Sequence, residues 1–140
     1  MNAPSISAWL VELALAKEVS MLSRTDRVPS HQYVLLRQDN QQVIGMLAIR
    51  TALNDYLLNY GGHIGYSISP LERKKGYGSA MLKEALEQAK ALGLTRVLVT
   101  CDDENLASTG VIENNLGILE DKRFEEETQK WVRRYWLRTV

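Results

Sequence analysis

Three cations, Arg73, Lys74 and Lys75, stand directly before two glycines spaced by one residue, Gly76 and Gly78, with Tyr77 between them and Ser79 after. Glycine at both positions removes two Cβ atoms and admits backbone angles closed to other residues, so the main chain there can approach a bulky group. Where such a segment opens a helix, its first turn carries unpaired N–H groups and the positive end of the helix dipole, and both attract anions. Cationic side chains ahead of that turn suit a diphosphate. A flexible, exposed turn with solvated charges is the bland alternative, and the local pattern does not choose between them. The three-glycine dinucleotide fingerprint is missing, and no Gly-Lys-Ser/Thr follows a four-residue gap as in a nucleotide-binding P-loop.

Just upstream, His63 opens an apolar stretch. Its imidazole, with an ordinary pKa of about 6.5, suits general-base work. A strand-end histidine bonded to a loop accounts for it equally. Tyr66 would donate a proton if it points into a cleft, with a core position as the alternative. Strand alternation sets Tyr66 with Ile64 and Ile68, opposite His63, Gly65 and Ser67, so His63 and Tyr66 face opposite sides unless a bulge intervenes. Asn54, Asp55 and Asn59 either line a pocket or are ordinary loop polarity. Asp102, Asp103 and Glu104 either attract a cation or favour a helix entrance, where acids are at home. Cys101 ends an apolar run and reads as a small core hydrophobe. Trp131 and Tyr135 share one face of a strand and Trp136 takes the other, a packing arrangement.

The elements that must position these residues follow from hydrophobic periodicity. Trp9, Leu10, Val11, Leu13, Ala14, Leu15 and Ala16, interrupted by Glu12 and bounded by Lys17, read as an amphipathic helix. Residues 33–37 and 42–50 read as strands around the turn residues Asp39 and Asn40, an antiparallel hairpin. Residues 53–60 are ambiguous between a short helix and a loop, ended by Gly61 and Gly62. Residues 63–69 form the next strand, stopped at Pro70. Met81, Leu82, Ala85, Leu86, Ala89 and Leu92 make one apolar helical stripe over residues 77–92, with Gly93 at the C-cap. Residues 96–101 suit a strand covered on both faces. Residues 105–115 read as a helix and residues 118–124 and 131–137 as closing strands. The strand–helix–strand unit demands a parallel crossover while the ends favour hairpins, giving a mixed sheet with helices packed on it.

At 140 residues and 45% apolar composition the chain fits one domain, 1–140, with a hydrophobic core. Seventeen basic and seventeen acidic residues cancel, so the basic surplus of a nucleic-acid binder is absent, and no apolar stretch is long enough to span a bilayer. The expectation is therefore no nucleic acid and no membrane. The single Cys101 forms no internal disulfide and gives no metal-ligand spacing, so no metal is expected, and a reducing, cytoplasmic setting is the simplest reading.

The run Arg73-x-x-Gly76-x-Gly78, after a strand and before a helix, resembles the acetyl-CoA motif of the GNAT N-acetyltransferase superfamily, whose pattern is Gln/Arg-x-x-Gly-x-Gly/Ala. Asn105 with Ser108 is similar to that family's Asn-x-x-Ala/Ser after the following strand, and residues 53–66 resemble a poorly characterised bacterial branch. The resemblance covers residues 33–137 and implies an α+β (mixed α/β) fold, a mostly antiparallel sheet with helices on both faces. It implies acetyl-CoA as cosubstrate and direct transfer of acetyl to a primary amine of a small molecule or peptide. It places the diphosphate on the N–H groups from Lys74 to Ser79, with Arg73 in the motif. The pantetheine arm would lie along Ile68, the thioester carbonyl on an N–H near Tyr66 or Ser67, and Asn105 and Ser108 against the cofactor.

The chain departs from the family at Ile112, where many members carry a proton-donating tyrosine, and at Leu116-Gly117. With a single helix expected before Tyr33, the amino-terminal part reads as shortened. The missing edge strand would leave a sheet edge for a partner chain to cover, as in a homodimer. A non-catalytic acyl-CoA-binding or interaction domain is the alternative function, and an unrelated nucleotide-binding module a third.

Overall fold

The computed structural model describes residues 8–13, 30–70 and 76–139. Among the described residues, seven strands form one sheet: β1 (Ala8–Leu13), β2 (Ser30–Arg37), β3 (Val43–Arg50), β4 (Ile64–Ile68), β5 (Arg96–Asp102), β6 (Ile118–Glu125) and β7 (Lys130–Arg138), in the spatial order β1-β2-β3-β4-β5-β7-β6. Every neighbouring pair is antiparallel except β4 and β5, which α1 (Tyr77–Ala91) joins in parallel. A second helix, α2 (Leu106–Asn114), leads from β5 to β6.

Alternation along the strands separates the two faces. Leu47, Ile49, Ile64, Val97, Val99, Tyr135 and Leu137 bury against the α1 stripe of Met81, Leu82, Ala85, Leu86 and Ala89. The helix ends where expected, with Gly93 at φ +94 just past the cap residue Leu92.

The opposite face of β5 and β7 is covered by residues 54–62, which contain a π-helical turn, Leu57–Gly61. Thr100 Oγ1 donates to the Tyr60 carbonyl (2.7 Å), Arg134 Nε to the Leu58 carbonyl (3.0 Å), and Tyr60 Oη to the Phe124 carbonyl (3.1 Å). The first two bonds take up main-chain acceptors that a turn buried against a sheet would otherwise leave unpaired, and the third ties the turn to β6. Gly62 closes the turn at φ +72, and a Cβ there would lie 2.6 Å from the Leu98 carbonyl oxygen, so both conformation and space require glycine.

The amino-terminal expectation needs correction. Residues 8–13 are a strand, paired antiparallel with β2 from Ala8–Arg37 to Leu13–Gln32. Leu10 packs against the core while Val11 is exposed, the two-residue period of a half-buried strand. A short apolar run fits both periods, and here the open side of β2 decides between them. The edge strand expected to be missing is therefore present, and the helix expected to continue to residue 16 lies in its later part outside the described residues.

Candidate active site

The sheet opens between β4 and β5. The two strands are bridged only at Ile64–Val99, near the start of β4, and make no further bridge toward Ile68 and Asp102. The register with β3 fixes which main-chain groups face that gap. Arg50 N–H donates to the His63 carbonyl and Ser69 N–H to the Ile44 carbonyl, both at 2.7 Å, so in this antiparallel ladder the odd-numbered residues of β4 bond to β3. Ser67 N–H is thereby directed at Met46, whereas the N–H and C=O of Tyr66 point to the β5 side. Of the two N–H groups expected near a thioester carbonyl, that of Tyr66 faces the gap and that of Ser67 faces β3.

At the wide end of the gap stands the amino terminus of α1. Gly76 caps it at φ +84, a left-handed conformation, and the first-turn N–H groups of Tyr77, Gly78 and Ser79 precede the first intrahelical bond, Ala80 N–H to the Gly76 carbonyl at 3.3 Å. Gly78 has a packing role that its motif did not reveal: a Cβ there would lie 2.9 Å from Val111 Cγ2 on α2 and 4.0 Å from Ile68 Cγ1. Ser79 ties the helices together, accepting at Oγ from Asn114 Nδ2 (3.2 Å) and at its carbonyl from Asn115 Nδ2 (3.1 Å). Tyr77 is buried and its hydroxyl accepts from Arg37 Nη1 at 3.2 Å. Arg73, Lys74 and Lys75 lie outside the described residues.

Along the gap from Ile68, β4 and α2 present matched hydroxyls. Tyr66 Oη and Ser108 Oγ share a hydrogen bond of 2.7 Å. Burial pushes the Tyr66 hydroxyl up from its ordinary value, with the Ser108 bond opposing, so it stays protonated at neutral pH. Cys101 lies behind, its Sγ 3.6 Å from Thr109 Oγ1, and burial pushes its thiol up, which fits a core residue. Asn105 is the N-cap of α2: its Oδ1 accepts from Ser108 N–H at 3.1 Å. Ile112 is fully buried and turned to the core, where its Cγ2 would lie 2.5 Å from a Cβ on Gly117. Ile112, where the family resemblance led one to expect a tyrosine, thus packs the fold, and the Tyr66–Ser108 pair places hydroxyls beside the gap.

His63 lies on the other face. Its Nδ1 accepts from Leu98 N–H at 2.9 Å, its own N–H donates to the Leu98 carbonyl at 2.7 Å, and its ring meets Trp136 edge-on at 6.4 Å. Burial, then the Arg50 charge, holds the imidazole below its ordinary value. With Nδ1 engaged by a main-chain donor, the neutral ring carries its proton on Nε2 in this arrangement. Arg50 stands beside it with Nη1 donating to the carbonyls of Gly61 (3.4 Å) and Gly62 (3.2 Å). The sequence offered no signal for Arg50 beyond a cation ending an apolar strand.

The polar residues set aside as ambiguous have local partners. Asn54 Oδ1 accepts from Leu57 N–H (2.9 Å) and Asn59 Nδ2 donates to the Asp55 carbonyl (2.7 Å). Asp103 is bound by Arg133 Nε at 2.6 Å and Lys122 Nζ at 3.0 Å, and these hydrogen bonds hold its carboxyl below the usual range. Asp102 meets Lys130 at 3.6 Å, so Asp102 and Asp103 are matched by bases of the closing strands.

Comparison with known proteins bears on this geometry. Residues 6–118 match the model of the Acetyltransferase (GNAT) family. No curated protein matches the chain. Among solved structures, a spermidine/spermine N-acetyltransferase from Vibrio cholerae in complex with manganese ions is similar at TM-score 0.71 and 15% identity, over 95% of this chain and 93% of that one. The Vibrio cholerae spermidine N-acetyltransferase in complex with CoA and spermine gives TM-score 0.70 at 16% identity, over 95% and 96%. Its dodecameric intermediate-state structure gives 0.69 at 14%, over 95% and 94%. At such identities the likeness concerns the fold.

Proposed function

The chain belongs to the GNAT acetyltransferase family, and from that premise we propose that it moves acetyl from acetyl-CoA by direct transfer to the primary amine of a small molecule or peptide. The observation that carries this reading is the single β4–β5 bridge, which leaves a main-chain gap leading from the α1 amino terminus to Tyr66. The described residues fit the cosubstrate. Tyr77, Gly78 and Ser79 offer N–H groups to a diphosphate, with the cations at residues 73–75 preceding them in sequence. The free side of β4 would take an extended arm by main-chain pairing, and Tyr66 N–H would polarise the acyl carbonyl. Acetyl-CoA supplies an activated acyl thioester.

Tyr66, backed by Ser108, would then give its proton to the departing sulfur on the helix face. The amine would approach from the face of Arg50 and His63. Placement of Tyr66 and His63 on opposite faces is compatible with this arrangement, because a gap through the sheet has two mouths. His63 acts as a positioning residue that locks β4 to β5 through Leu98.

The burial of Ile112 favours a second reading, a non-catalytic acyl-CoA-binding domain, since no tyrosine hydroxyl comes from α2. Calorimetric titration with CoA and a thiol-release assay with acetyl-CoA over a panel of amines, amino acids and peptides separate the two. CoA binding with amine-dependent thiol release supports transfer. CoA binding without release over the whole panel supports the second reading, and absence of CoA binding overturns both.

A further inference from the structure

Arg50 is a half-buried cation whose hydrogen bonds go to two carbonyls, and no carboxylate among the described residues lies within ion-pair distance of it. Only Nη1 is used by those carbonyls. The guanidinium extends over Gly65, where a Cβ would sit 3.5 Å from Nη2 and 3.6 Å from Nη1. Glycine at that point leaves no side chain in front of the Nη1–Nη2 edge of the planar fork, next in sequence to the Tyr66 N–H that faces the gap. Burial holds Arg50 below its ordinary pKa, with the nearby Tyr56 hydroxyl opposing weakly. The Tyr56 hydroxyl itself donates to Glu125 Oε2 at 3.0 Å, so the nearest carboxylate along that chain of contacts is already bonded. His63, the other polar neighbour, has its lone pair on the Leu98 N–H.

A desolvated guanidinium with unused donors is matched best by a planar oxyanion, which it binds through two parallel N–H bonds. The geometry points to an acceptor that carries a carboxylate as well as the reacting amine, with Arg50 gripping the carboxylate. This deepens the transfer reading and rests on it: among the described residues both helices, α1 and α2, pack on the face opposite Arg50, which leaves the Arg50 face for the amine. A polycation would meet Arg50 and gain nothing there, so the acceptor class is an amino acid or a peptide terminus bearing a nearby carboxylate, and not a polyamine.

The test compares matched acceptors that differ only in that group: amino acids, their carboxamides and the corresponding decarboxylated amines. Thiol release and calorimetric binding to the protein–CoA complex are both measured. Wild type is expected to favour the carboxylate member by about 10- to 100-fold in kcat/KM, the scale of a charge-assisted pair. Arg50→Gln should abolish that preference through KM while leaving CoA affinity unchanged. Because this variant also loosens the Gly61 and Gly62 carbonyls, Gly65→Ala serves as the second probe. It keeps Arg50 and its carbonyl bonds but places a methyl at van der Waals contact with the fork, and should weaken carboxylate acceptors several-fold. Equal use of all three acceptor types by wild type, or a preference that survives Arg50→Gln, overturns the inference while leaving acetyl transfer standing. Carboxylate binding lost in Arg50→Gln, without thiol release from any acceptor, overturns transfer while upholding the anion site.

Discussion

Gly78 separates two explanations of the glycine motif, direct approach of a phosphate and close packing of two helices. A Cβ added at residue 78 would come to 2.9 Å from Val111 Cγ2, whereas carbon atoms in good contact lie about 3.5–4.0 Å apart. Val111 must therefore yield by about 0.6 Å or more, and a β-branched side chain in a helix has few rotamers with which to do so. Overpacking of this kind costs about 1–3 kcal/mol, offset by up to about 1 kcal/mol from replacing glycine in a helix. Gly78→Ala should therefore lose about 1–2 kcal/mol net, lowering the melting temperature by about 3–8 °C. CoA affinity should fall with it, because α1 must move away from α2 and carries its first-turn N–H groups along. The double variant Gly78→Ala/Val111→Ala removes the obstructing methyl and should recover both stability and CoA affinity, with a coupling energy of about 1 kcal/mol or more. Denaturant melts and calorimetric CoA titration on the four proteins of the cycle read this directly. Additive effects, or CoA affinity lost in both Gly78 variants alike, would show that the space at Gly78 serves the phosphate and that the packing argument is wrong.

Tyr66→Phe removes the hydroxyl beside the gap and is expected to lower kcat by about 100-fold or more with CoA affinity unchanged, the usual scale for loss of a general acid; kcat equal to wild type excludes that role. Ser108→Ala should have a smaller effect in the same direction in the same assay. His63→Ala leaves the buried Leu98 N–H without its acceptor and should cost about 1–3 kcal/mol in urea melts. The pH dependence of kcat/KM should keep its shape in that variant, since its lone pair is engaged; loss of a limb near neutrality would restore His63 as the base. Glu120 is held below its ordinary pKa by its hydrogen bond from Arg134, then by that from Trp136. A depressed folded pKa means that the unfolded chain takes up the proton first, so this contribution is complete above the ordinary carboxylate range and lost as pH falls through the folded value. Melting temperature should drop as pH falls below the ordinary carboxylate range, and Glu120→Gln should flatten part of that drop.

The local patterns were well legible. The α1 stripe, the hairpin turns and the buried run in β5 each carry their own period, and the resemblance at residues 73–78 and 105–108 led to the family that the comparisons show. Opposite orientation of Tyr66 and His63 also followed from alternation alone. The strand at residues 8–13 was misread because six residues do not separate a period of 2 from one of 3.6, and only the unfilled side of β2 decides.

Away from residues 8–13 and 53–60, sequence by itself determined what the segments do with their own hydrogen bonds and apolar side chains: helix, strand, cap and a glycine-bearing entrance to α1. Only the tertiary structure decided which atoms meet across the gap. It gave the His63 lone pair to Leu98 N–H, joined Tyr66 to Ser108 over 42 positions of chain, set Gly78 against Val111, and left Arg50 among carbonyls above a side-chain-free Gly65. These are contacts between residues far apart in sequence, fixed by strand register and by how closely two helices approach. No local period encodes either quantity.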